Sequence, residues 1–231
     1  MQAILFDLFG TLVPNRPPDH WAGCFAEIAA VFGAEPHAFY AEWNKLHQAR
    51  MVGDSPDGER AFDPILHSLG IRAQPEQYRR AYELRIAFMR QAVEPKPDAL
   101  ETLEALASAG FKLALVTDCS SGTTELLDGT PLGRYLPVKA SSALLRTRKP
   151  DPRMYAHALS GLGVPGSQAV YVGDGNSEEL PGARRHGMRT VWVDNGPDQH
   201  YHERFVPEGD HTVRALKELI PLLAGLRGMH G

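Results

Sequence analysis

A carboxylate, a hydroxyl, a lysine and an acidic cluster recur in that order along this chain, mostly just past an apolar run. Asp7 closes Ile4-Leu5-Phe6 and leads into Leu8-Phe9-Gly10-Thr11-Leu12, and Thr117-Asp118 follows Leu113-Ala114-Leu115-Val116. Lys149 stands in Arg148-Lys149-Pro150-Asp151-Pro152, and Asp174 follows Val170-Tyr171-Val172-Gly173, with Glu178 and Glu179 just beyond. Apolar runs of this length read as buried strands. A glycine turn behind the first pushes Asp7 out at the strand's carboxyl end, where α/β sheets keep their ligands.

Such a set is suited to displacement at an anionic centre. A carboxylate is repelled by a phosphate dianion, so the site must import positive charge before the two can approach. Lys149 supplies one charge unless it is a solvated member of the basic run with Arg146 and Arg148. Mg²⁺ takes hard oxygen ligands and keeps several waters, so one or two carboxylates and a carbonyl suffice to hold it. Asp7, Asp174 and the carbonyl of Phe9 fit that count. Thr117 can cap a helix from Ser120 and hold an anion's oxygen, because helix N-termini accept anions.

In order and spacing the four segments resemble the four motifs of the haloacid dehalogenase (HAD) superfamily of hydrolases, over most of the chain. The resemblance implies Asp7 as nucleophile, Thr117 holding an oxygen of the transferred group, Lys149 neutralising charge, and Asp174 helping to hold Mg²⁺. Phe9, Gly10, Thr11 and Asp118 then fall on the substrate side. The family pattern also places an acid four or five residues after the fourth motif's first Asp. Glu179 is favoured over Glu178 because Gly182-Ala183 and Gly187-Met188 follow it as they follow the acid in relatives. Its longer side chain reaches the metal through a water, or it favours the first turn of a helix starting near Leu180.

Phe9 departs from the pattern. Family phosphatases generally carry a second Asp there, which protonates the leaving oxygen and then activates water; a phenyl ring does neither. An aromatic at this position resembles the dehalogenase branch, where departing halide needs no proton. Asp174 and Asp118 point the other way. Metal-free dehalogenases typically have a serine and an amide at those positions, and an anion at Asp118 repels both a carboxylate and a halide. Their Trp-Arg pair is here Trp43-Asn44. The first expectation is therefore a Mg²⁺-dependent phosphatase acting on a small phosphorylated metabolite through an aspartyl-phosphate on Asp7. The alternatives are a 2-haloacid dehalogenase using Asp7, and a catalytically weak phosphate-binding protein. Asp118 is either a relocated acid or a solvated turn residue.

The elements that must position these groups are legible in the periodicity. Between Val13 and Pro95 apolar residues recur at helical spacing: Trp21, Phe25, Ile28, Phe32; then Phe39, Trp43, Leu46; then Phe62, Ile65, Leu69; then Tyr78, Tyr82, Ile86, Met89. This predicts a helical cap over residues 15–95, bordered by proline-rich hinges, on a core of residues 1–14 and 96–231. The aromatic stripes are assigned to the cap's own core, and His47, Arg50 and the Gly53-Asp54-Ser55-Pro56 loop are surface residues or substrate contacts. Elsewhere helices (98–109, 154–162, 180–187) alternate with strands (111–116, 169–172, 190–193), and 213–223 closes the chain as a helix that Pro221 kinks. The alternation implies an α/β fold, a Rossmann-like parallel sheet with helices on both faces. The Gly-rich tail from Gly225 reads as frayed.

Composition narrows the class. The 231 residues carry a formal net charge of −4 with scattered Lys and Arg, so no nucleic-acid footprint exists. Phosphate-loop and dinucleotide glycine patterns are absent. No apolar span long enough for a membrane helix and no secretory leader occurs, which makes the cytoplasm the default and a small molecule the expected partner. Cys24 and Cys119 make no disulfide framework or zinc spacing, and the ten histidines, among them His200, His202, His211 and His230, form no ligand set. Nothing in the sequence sets an oligomeric state.

Overall fold

The computed structural model describes residues 1–196 and 208–228. Six parallel strands form one sheet in the order β3-β2-β1-β4-β5-β6: β1 Ala3–Phe6, β2 Lys112–Thr117, β3 Val138–Ser141, β4 Ala169–Gly173, β5 Arg189–Val193 and β6 His211–Val213. The two central strands β1 and β4 are buried throughout, so they read as continuous apolar runs rather than alternating ones. Alternate side chains then serve opposite faces. Ile4, Phe6, Leu115 and Val172 meet Leu103, Leu106, Leu219 and Leu223 on one side. Ala3, Leu5, Val116 and Tyr171 meet Met154, Tyr155, Ala158 and Leu180 on the other.

Register decides what the strand ends present. Phe6 is opposite Leu115 of β2 and Val172 of β4. Asp7 therefore lies one residue past β1, with Thr117 and Asp174 one step further along its two neighbours. The strand order reverses between β1 and β4, since the chain adds β2 and β3 on one side before crossing to the other. Asp7 and Asp174 flank that crevice, the usual ligand position of such sheets.

Helices Pro18–Phe32, Pro36–Lys45, Asp63–Ser68 and Pro75–Ala92 follow β1 and enclose a separate apolar cluster built on Phe25, Ile28, Phe39, Trp43, Phe62 and Ile65. The periodic residues named from the sequence largely fill it, but several aromatics also turn toward the site, as described below.

Three local expectations are corrected. The short edge strands β3 and β6 carry too few residues to show a period; pairing with β2 and β5 makes them strands. Val213 ends β6, and the closing helix is Leu219–Gly228, reached through a short 3₁₀ turn at Leu216–Glu218. Pro221 sits in that helix's first turn, where its missing N–H has no intrahelical partner to lose, so no kink is required. The helix also runs through Gly225 to Gly228 because Leu223 and Leu226 are buried against the sheet. His200, His202 and His230 lie outside the described residues.

Candidate active site

Asp7 is 4% exposed and shares its two oxygens between the chain's own donors. Oδ1 accepts from Lys149 Nζ at 2.5 Å and Oδ2 from Thr11 Oγ1 at 3.2 Å. The turn that delivers Thr11 closes on Leu8, whose carbonyl accepts the N–H groups of Thr11, Leu12 and Val13. Gly10 makes this turn possible. Its φ of +82° is disfavoured for other residues, and a Cβ there would collide with the Asp174 carboxylate and the Asn15 amide.

Lys149 lies between two buried acids, 2.5 Å from Asp7 and 2.6 Å from Glu179. It is not a solvated lysine. Burial alone would lower its pKa, but Asp7 and Glu179 outweigh that and hold it well above the ordinary lysine value. Glu179, fully buried, has both oxygens engaged: Oε2 accepts from Lys149 and from the Tyr171 hydroxyl at 2.9 Å, and Oε1 from the Gly175 N–H at 2.9 Å. Glu178 is exposed. Of the two candidate acids, Glu179 is the one brought to the site. It also opens the helix Glu179–Arg185, so its place at the N-terminus and its ion pair coexist.

Asp174 completes the acidic group. The Asn176 N–H and amide and the Asn15 amide donate to it at 3.0, 2.6 and 2.9 Å. One carboxylate oxygen each from Asp7, Asp174 and Glu179 lie within 4.8 Å of one another. Burial pushes Asp7 up to about 6 and Glu179 up to about 8, with mutual repulsion adding to both. Lys149 and the half-buried Lys96, whose Nζ donates to the Gly10 carbonyl at 2.7 Å and to Asn195 at 2.6 Å, provide two positive charges for these three acids. Three hard carboxylate ligands gathered in a buried cradle suit a divalent cation such as Mg²⁺.

Thr117 is fully buried at the end of β2, and among the described residues its Oγ1 has no hydrogen-bond partner. A buried hydroxyl without a partner costs free energy that an oxygen-bearing ligand would relieve. Asp118 is not the solvated turn residue considered from sequence. Its Oδ1 accepts from the Lys149 N–H at 3.0 Å, and its Oδ2 lies 3.4 Å from Arg148 Nε. Phe9 packs its ring against the main core and also lines the cleft beneath the cap helices, together with Asn15 and Asp118.

Sequence reasoning missed Lys96, Asn15, Asn176, Asn195 and Tyr171. Lys96 carried a signal: it stands before Pro97 as Lys149 stands before Pro150. The Asp54-to-Asp57 segment does not face the acids. Asp54 pairs with Arg146 and Asp57 with Ser121, so this loop ties the helices that follow β1 to segments beside β3 and β2. Arg50 is buried, with its guanidinium 3.8 Å above the Trp43 ring.

A buried carboxylate bonded to a lysine, with two further acids beside it at the switch point of a parallel sheet, resembles a hydrolase site of the HAD type. The chain belongs to the haloacid dehalogenase-like hydrolases, whose family profile matches residues 1–187. It is 30% identical to (S)-2-haloacid dehalogenase 4A of Burkholderia cepacia over 235 residues, covering 97% of this chain and 95% of that one. It is 35% identical to phosphoserine phosphatase of Thermus thermophilus over 228 residues, 85% of this chain and 90% of that one. The solved structure of a HAD phosphatase from Thermococcus onnurineus superposes with a TM-score of 0.69 at 25% identity, covering 97% and 99% of the two chains. Among the described residues no helix is long and apolar enough to cross a membrane.

Proposed function

We propose that this hydrolase is a Mg²⁺-dependent phosphatase of a small phosphorylated molecule, acting through an aspartyl-phosphate on Asp7. The observation that carries this is the buried cradle in which one carboxylate oxygen each from Asp7, Asp174 and Glu179 lie within 4.8 Å of one another, hard ligands that suit a divalent cation. A dehalogenase needs one paired carboxylate; a second acid at Asp174 and a third near the cleft at Asp118 would oppose its anionic substrate and product. Asp7, Asp174 and the carbonyl of Phe9 would hold Mg²⁺, with Glu179 acting from behind by fixing Lys149. Bound there, the ion would supply charge neutralisation for the approaching phosphate.

The chain's own residues account for the rest. Lys149 holds Asp7 ionised and in place, and an Asp7 oxygen attacks phosphorus as the bond to the leaving oxygen breaks. Thr117 Oγ1 donates to a phosphoryl oxygen. Water then cleaves the phosphorus–oxygen bond to Asp7, releasing phosphate and restoring the carboxylate. Phe9 offers no proton, and Asp118 is tied up by the Lys149 N–H and by its ion pair with Arg148, so the leaving oxygen departs as an anion. We further propose that residues 15–95 act as a cap domain over a core of residues 1–14 and 96–231, as their separate apolar cluster supports. Its closure would exclude water from the site.

Phe9 and the 30% identity to a haloacid dehalogenase support carbon–halogen hydrolysis through an ester on Asp7 as the second reading. Phe9 also supports a phosphate-binding protein of weak turnover. A hydrolysis screen of phosphorylated metabolites and 2-haloacids, each with Mg²⁺ and with chelator, separates the first two. Chelator-insensitive halide release would refute the phosphatase. Trapping of a covalent adduct on Asp7 separates both from the third.

A further inference from the structure

The cap helices and the core enclose a cleft of about 460 Å³ whose core-side wall includes Phe9, Asp118, Ser120 and Thr123. That volume lies in the range of pockets that hold drug-sized ligands and exceeds the needs of a two- or three-carbon acid. Its cap-side walls are largely aromatic, with Trp21, Phe25, Trp43 and Phe88 among them. Rings at such positions suit a flat apolar body.

Three arginines, Arg16, Arg50 and Arg85, interrupt this apolar wall, and the last two are buried. Arg50 is 7% exposed; one N–H donates to the Trp43 carbonyl at 2.5 Å, and no acid lies within 4 Å of it among the described residues. Arg85 is 8% exposed and 5.2 Å from the same indole ring. Its acid partner is Asp57 at 3.6 Å, which also accepts from Ser121 and from the Gly58 N–H. The wall thus carries more buried positive charge than it neutralises, and uncompensated buried charge is costly. Burial and the neighbouring Arg85 push Arg50 down to about 10, which leaves it protonated at neutral pH. With the face of Arg50 against Trp43, its edge is left to engage an anion in the plane of the guanidinium, the arrangement that suits a carboxylate.

We propose that the cleft selects a substrate with an aromatic or similarly flat apolar body bearing a carboxylate, which pairs with Arg50 and Arg85 at the end remote from Asp7. The phosphoester end of that substrate rests on the function proposed above; the carboxylate end rests on the cleft alone. The absence of a proton donor at Phe9 agrees with a phenolic leaving group, which departs readily as an anion.

The test is binding of 3-(4-hydroxyphenyl)propionate and of its neutral amide to the intact protein, followed by tryptophan fluorescence and calorimetry. The acid should bind roughly 10- to 100-fold more tightly than the amide, the span expected of a charge-assisted hydrogen-bonded pair. Arg50→Gln and Arg85→Gln should each erode that preference, and Arg50→Lys should retain part of it. Equal affinity for acid and amide, no binding of either, or an unchanged preference in a folded Arg50→Gln would overturn the proposal. Should the glutamine variants fail to fold, the parent's acid-to-amide ratio and Arg50→Lys still decide it. Hydrolysis of the same acid's phenyl phosphate ester is measured separately. Carboxylate-dependent binding without hydrolysis would overturn the phosphatase and leave the cleft assignment standing.

Discussion

Replacing Lys149 by Met tests the electrostatic centre of the site, because the ammonium is 3% exposed and bonded to two carboxylates at 2.5 and 2.6 Å. Deleting one partner of a buried ion pair costs about 3–5 kcal/mol. The orphaned acids can limit that loss by taking up protons, each unit of pKa shift being worth about 1.4 kcal/mol. Even beside Lys149, burial raises Asp7 to about 6 and Glu179 to about 8, so the metal-free native state keeps protons that the unfolded chain releases. Stability from these acids therefore falls as pH rises through that window. The contribution of Lys149 is constant there, since its raised pKa matters only above the unfolded lysine value. Its removal drives both acids higher still. Urea denaturation in chelator, at about pH 8 and about pH 5, should show a deficit of about 3–5 kcal/mol at the higher pH and one smaller by ~1–2 kcal/mol at the lower. A deficit below about 1 kcal/mol at the higher pH, or one that grows on acidification, would refute the charge arrangement described here.

Asp7→Asn should abolish hydrolysis with the fold intact, as the amide matches the carboxylate in shape but not in nucleophilicity; substantial residual turnover would remove Asp7 from its role. Gly10→Ala should cost about 1–2 kcal/mol for its left-handed backbone and weaken Mg²⁺ binding by displacing Asp174, so an unchanged calorimetric Mg²⁺ affinity would contradict the cradle. With no proton donor, rates should rise steeply as the leaving group becomes more acidic, alkyl phosphates lagging by roughly 10²–10⁴-fold for want of general acid help. A shallow leaving-group series that steepens in Asp118→Asn would instead make Asp118 the acid, despite its bond from the Lys149 N–H and its ion pair with Arg148.

The sequence alone specified the residues that end strands. Asp7, Thr117 and Asp174 were legible because a buried strand shows as an apolar run and its end shows as the first polar residue after it, and Lys149 because prolines mark the loop that carries it. The helical insert was legible for the same reason, since four helices burying one face each leave a 3.6-residue period. Short elements were not. β3 and β6 have too few residues for any period, and the closing helix could not be separated from Val213 until pairing with β5 claimed that residue. The side chains that bind the site together, Tyr171 to Glu179, Asn15 to Asp174, and Lys96 to the Gly10 carbonyl, join segments far apart in the chain. Arg50 shows the limit most plainly: a surface residue or a substrate contact by spacing, it is buried with its guanidinium stacked on Trp43 and bonded to that residue's carbonyl. Periodicity reports which face of an element avoids water, whereas the partners of a polar side chain depend on what the other elements bring to that face, and only the tertiary structure decides that.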